Sequence, residues 1–184
     1  MTQQLIGLGT ADNDGTGDPE KTAGQKINAN FTELYSDRWN YVRLSSDFST
    51  SSATAVDVTN LFFNPVANTR YEVSGIFYLR VATTTIGPRP GLAWPTGLTD
   101  GVAILRTPAT ATTFTTIQGN PNAALLAAVG GLPNTTSSYP GFLESSFLAG
   151  ATPSGNFRLQ LASETAGTNV TMKANSFICY RIIP

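Results

Sequence analysis

Three aspartates crowd the front of the chain, Asp12, Asp14 and Asp18 in "DNDGTGD". Carboxylates are hard oxygen ligands, and glycines let a short loop wrap a cation, so the chemistry to test first is calcium binding. An EF-hand loop closes with a bidentate glutamate at its twelfth position, and counting from Asp12 that place holds Ala23. The stretch therefore reads as an Asx-turn and glycine-turn lead into a helix, with no metal expected. A phosphate cradle fits less well. "GTGD" before a helix has the form of an anion site, but Asp14, Asp18 and Glu20 repel phosphate and no lysine follows the second glycine. "GLG" at 7–9 lacks the third glycine of a dinucleotide fingerprint, so no cofactor is expected.

The chain contains no histidine. That removes the commonest general base, the Ser-His and Cys-His nucleophiles and most zinc sites. A glycosidase pair needs two carboxyls roughly 5–9 Å apart. Glu72 with Glu144 or Glu164 is the arithmetic candidate, but solvated acids on strand faces are the plainer reading, and no catalytic residue is expected. Cys179, the single cysteine, sits in "SFICYRII" and reads as a small buried hydrophobe. Trp94 and Tyr139 stand among Gly and Pro, where an aromatic ring either packs a sandwich end or stacks on a sugar. Packing is the favoured reading and glycan contact the alternative.

The elements that would position these residues change near residue 44. Residues 1–45 hold six acids and four bases, and the remaining 139 hold six and seven, so charge concentrates in the first quarter. One helix is expected there. Asp18 reads as its N-cap and Pro19 as its first residue, with Glu20 at the positive end of the dipole. Ile27, Phe31, Leu34 and Tyr35 recur at i, i+4, i+7 and i+8 on one face. Gly24 inside the helix costs roughly 1 kcal/mol against Ala and marks a close approach to a neighbour. The helix is expected to end around 36–38. A self-coiled coil is not expected, because the apolar register runs out at Arg38. A helix this short is marginal in water, so its stripe needs a partner: the chain's own β domain or, as the composition break near residue 44 favours, another protein.

Beyond residue 44 the grammar is that of strands. "ATAVDVTNLFF", "RYEVSGIFYLRVA", "GVAILRT", "TTFTTIQG", "SGNFRLQLAS", "TNVTMKA" and "SFICYRII" are short β-rich runs between Gly, Pro, Asn and Ser clusters. Tyr71, Val73 and Gly75 alternate with Arg70, Glu72 and Ser74, and Phe157, Leu159 and Leu161 with Arg158, Gln160 and Ala162. The fold expected is mainly β: an antiparallel, jelly-roll-like β-sandwich over 45–184, after an N-terminal α-helical segment over 1–44. The last strand is expected to run to Pro184. Residues 83–100 and 119–142 read as long loops, the second with a patch, "AALLAAV", equally compatible with two helical turns.

Charged residues make up 12% of the chain, against about 25% in average proteins. Such a surface suits hydroxyl-rich β structure lying against protein neighbours, where buried charge is costly. Basic residues form no stripe, so no nucleic-acid partner is expected. No apolar run approaches the roughly 18 residues of a membrane span, and the N-terminus lacks the basic and apolar regions of a secretion signal.

"GTADNDGTGDP…TAGQKINANFTELY", over residues 6–35, closely resembles an N-terminal motif of tail-fibre and other minor virion proteins of tailed bacteriophages. The matching residues are Gly15, Gly17, Asp18, Ala23, Lys26, Ile27, Asn28, Asn30, Phe31, Glu33, Leu34 and Tyr35. Many relatives have Leu-Arg where this chain has Glu20-Lys21. "DFSTSSATAVDVTNL" and "QLASETAGT" resemble phage fibre domains more loosely. The resemblance implies a virion protein assembled in the bacterial cytoplasm, a short fibre or appendage. Ile27, Asn28, Asn30, Phe31, Leu34 and Tyr35 would attach it to tail or capsid proteins. It also implies a homotrimeric β domain displayed outward; a carbohydrate-binding module for host adsorption, meeting a host surface glycan through Trp94 and Tyr139, is a further alternative from the residues themselves. A capsid decoration protein is the alternative.

Overall fold

A computed structural model of the chain describes residues 4–10, 15–36, 38–109, 113–120, 125–126 and 130–183. They fall into two compact units, residues 1–38 and 39–184. The first contains one helix, α1 (Glu20–Ser36). The second is a mainly β, antiparallel sandwich.

Its strands are β1 (Asn40–Arg43), β2 (Phe48–Thr50), β3 (Val56–Phe63), β4 (Arg70–Val81), β5 (Pro88–Ala93) and β6 (Thr96–Pro108). There follow β7 (Phe114–Gly119), β8 (Leu125–Leu126), β9 (Tyr139–Ser154), β10 (Phe157–Ser163), β11 (Val170–Met172) and β12 (Phe177–Ile183). Among the described residues, one sheet runs β1-β12-β4-β9-β6-β7, with β11 joining β4 to β2, and the other runs β3-β10-β5-β8. From β3 to β5, and again from β8 through β10 to β12, the chain crosses between the sheets and brings distant strands together. This is the jelly-roll habit, with the β6–β7 hairpin added beyond β9.

The core lies between the sheets. In β4, Tyr71, Val73, Phe77, Leu79 and Val81 are buried on one side, as the period-two pattern requires. Phe157, Leu159 and Leu161 of β10 face them from the smaller sheet. Aromatic rings join the layers: Phe157 stacks on Phe147 at 5.2 Å, and Phe63 stacks on Tyr180 at 3.9 Å. The Val66 N–H donates to the Tyr71 hydroxyl at 2.9 Å, so that buried phenol is satisfied.

Several expectations need correction. Residues 39–43 belong with the sandwich, because β1 pairs with β12 from Asn40 to Arg43. The stretch 83–100 is not a loop: it holds β5 and the start of β6. Pro88 and Pro90 hid β5, since proline removes a ladder donor. At those residues β5 pairs with β10, and among the described residues β8 lies opposite Gly91 and Leu92. Of 119–142, Leu125–Leu126 are a strand, 139–142 open β9, and the other residues of "AALLAAV" lie outside those described. The last strand ends at Ile183, with Pro184 also outside them. Cys179 is free and buried, and burial pushes its thiol up.

Candidate functional site

The N-terminal unit uses its polar residues on itself. The carbonyl of Pro19 accepts the Ala23 N–H at 2.9 Å, so α1 starts one residue later than expected. Asp18 is turned elsewhere. Its Oδ2 accepts from the Gly7 N–H at 2.8 Å and the Lys26 ammonium at 2.7 Å, and its own N–H donates to the Gly7 carbonyl at 2.8 Å. Lys26 first, then the Gly7 N–H, hold the Asp18 carboxyl below the usual carboxylate range. Lys26 also donates to the Leu5 carbonyl at 3.0 Å. One turn on, Asn30 gives and takes a bond at 2.9 Å with the carbonyl and N–H of Gln4, as a neighbouring strand would. The lead from Gln4 to Gly9 is thereby strapped along the helix. Gly17 is where it comes closest: a Cβ there would meet the Gly7 oxygen at 3.0 Å and the Gly9 nitrogen at 3.2 Å.

The apolar residues next to this strap are open. Ile27, Phe31 and Leu34 are 41%, 52% and 52% exposed. With Asn30 they line a shallow hollow of about 250 Å³. Asn28 is exposed, and its carbonyl accepts from the Thr32 hydroxyl. The expected close approach at Gly24 is not found among the described residues, none of which lies within 4 Å of a Cβ built there. Asp12, Asp14 and the Tyr35 side chain lie outside the described residues.

The sandwich carries a second feature, on the outer face of its larger sheet. Register places Glu72 beside Ser146 and Ser74 beside Glu144 on β4 and β9, with Val102 and Ile104 next to them on β6. These residues and Trp39 line an open groove of about 570 Å³. Glu72 and Glu144 are diagonal neighbours, whose Cα atoms this register sets about 7–8 Å apart. The structure thus brings together one pair named from sequence. It separates Glu164, which accepts the Gly87 N–H at 2.9 Å. Each groove carboxylate has an arginine: Arg181 reaches Glu72 Oε2 at 2.6 Å, and Arg106 reaches Glu144 Oε2 at 3.5 Å. Arg181 also sits over the Trp39 ring, 5.1 Å from its centroid, and fixes the indole. Trp39 escaped notice because it sits in the charged first quarter and joins the groove only through the sheet.

Trp94 and Tyr139 are not brought together. Trp94 is half-buried, edge-on to Phe147 at 5.9 Å and to Phe157 at 5.5 Å, with Nε1 buried and unbonded. Tyr139 packs against the core, and its hydroxyl accepts from Asn134 at 2.8 Å. Tyr139 lies eight residues from Phe147 along β9. At about 3.3 Å per residue that is about 26 Å, too far for one sugar platform.

No protein-family model matches the chain, and no curated protein does. Among solved structures it is similar to a bacterial lipoprotein from Bacteroides thetaiotaomicron, at 9% identity over 78% of this chain and 87% of that one. The TM-score is 0.23, and a likeness that slight bears on neither fold nor function.

Proposed function

We propose that the chain is a structural component of a tailed-bacteriophage particle, a short fibre or appendage held by its N-terminal segment and displaying an oligomeric β-sandwich. The observation that carries this reading is the division of labour within the motif. Asp18, Lys26 and Asn30 are spent on the lead, while Ile27, Phe31 and Leu34 stay open. A helix whose apolar side chains remain open is a helix waiting for another polypeptide.

The magnitudes favour several copies. Covering the remaining half of three side chains yields about 1 kcal/mol each. The total of about 3 kcal/mol falls short of the about 4 kcal/mol of a millimolar complex. A homotrimer presenting three segments would gain through effective concentration instead. The reading is of a non-catalytic protein, since histidine is absent and both groove carboxylates are tied to arginines.

The test is incorporation. Particles grown with the chain truncated before Trp39 should lack it, although the truncated protein purifies as a folded sandwich. Normal incorporation of that truncation refutes the attachment role.

A further inference from the structure

We infer that the groove on the outer face of the larger sheet binds a neutral pyranose oligosaccharide, through Trp39, Glu72, Glu144 and Ser146. This goes beyond the attachment reading and does not rest on it, because every groove residue belongs to the sandwich.

The charge of the groove narrows the ligand. Arg181 and Arg106 balance Glu72 and Glu144, so the lining offers no net charge to a phosphate, a sialic acid or an amine. The arginine contacts are at Oε2 of each carboxylate. Carboxylates are acceptors for the hydroxyls of a vicinal diol, and Glu72, held by Arg181 at 2.6 Å, loses little freedom on binding. Val102, Ile104 and Ile183 supply an apolar floor, and Trp39 an aromatic wall. A pyranose ring has this dual character, with C–H faces to lay on apolar surface and a hydroxyl rim to bond. A volume of about 570 Å³ lies within the range of about 300–1,000 Å³ seen in small-molecule sites. Because the groove is open along the sheet, a chain of sugars fits it better than an enclosed metabolite does.

The experiment titrates the full chain with cellotriose, maltotriose, mannotriose and chitotriose, by calorimetry and by tryptophan fluorescence. At least one is expected to saturate. Trp39→Ala and Glu144→Ala should each weaken it by about tenfold or more, as lost stacking and a lost acceptor require. Tyr139→Phe should bind as the wild type does. Glu144 is exposed on a strand face, so its variant folds even if Trp39→Ala does not. The inference is overturned if no trisaccharide titrates, or if both variants bind unchanged. It is equally overturned if Ile104→Asp converts an oligomer to monomers in sedimentation, since a second copy would then cover the groove.

Discussion

The helix and the sandwich handle the same kind of residue in opposite ways. In the sandwich, Phe157 is fully buried and touches the rings of Phe63, Phe147 and Trp94. In the helix, Phe31 is half-exposed and borders an open hollow. Where two sheets supply facing layers, apolar side chains find partners inside the chain and set its stability. In the helical unit, polar bonds tie α1 to its own lead. The contrast predicts that stability and attachment can be mutated separately.

The largest effect belongs to the core. Phe157→Ala removes a ring from a packed aromatic cluster and should cost about 3–5 kcal/mol. Urea unfolding followed by near-ultraviolet circular dichroism measures it. A loss under about 1 kcal/mol would mean that the site collapses readily, and that the two regions differ less than their burial implies.

Next comes the strap. Asn30→Ala deletes both bonds to Gln4, and each such bond is worth about 0.5–1.5 kcal/mol net, at the lower end when exposed. Amide exchange at residues 4–9 should quicken, while exchange in β4 and β9 stays unchanged. Quickened exchange in the sandwich as well would couple the two units and break the comparison.

The apolar stripe should behave in the reverse sense. Phe31→Ala is expected to shift unfolding by no more than about 0.5 kcal/mol, as surface changes do. The same variant should enter particles poorly. Wild-type incorporation, read by quantitative immunoblotting of purified particles, would show that the exposed ring meets no partner.

How much of this was legible beforehand follows the same divide. β4 and β10 could be read because one face is apolar and the other polar. β9, the longest strand, could not. Its outward residues include Phe142 and Leu148, while inward-facing Ser145 is buried and donates to the Val102 carbonyl at 3.0 Å, so alternation of hydropathy is blurred. The groove was illegible for a different reason. Glu72 and Glu144 are distant in sequence and meet only through the pairing of Ser74 with Glu144, which periodicity does not encode. The helix stripe was plain in the spacing, but the roles of Lys26 and Asn30 were not, because their partners are backbone groups of the lead.

The smallest effect is one of pH, and it separates the regions again. Asp18 in the helical unit and Asp47 in the sandwich both have carboxyls held below the usual range. For Asp47 the chief cause is the Ala174 N–H, followed by Lys173. A depressed carboxylate contributes its stabilisation fully above its unfolded value of about 3.9, and loses it as pH falls through the folded value. Acidification should therefore weaken both contacts in one direction, with different consequences. The lead hangs on few bonds, so protonating Asp18 should release the Gly7 amide while the sandwich, held by its core, keeps its circular dichroism. In an NMR titration from pH 7 to pH 2, the Gly7 amide should stay level above about pH 4 and move below it. Asp18→Asn should abolish that movement. A Gly7 amide that titrates near neutral pH, or one that follows acid in the Asn variant as well, would remove Asp18 as the clasp of the lead.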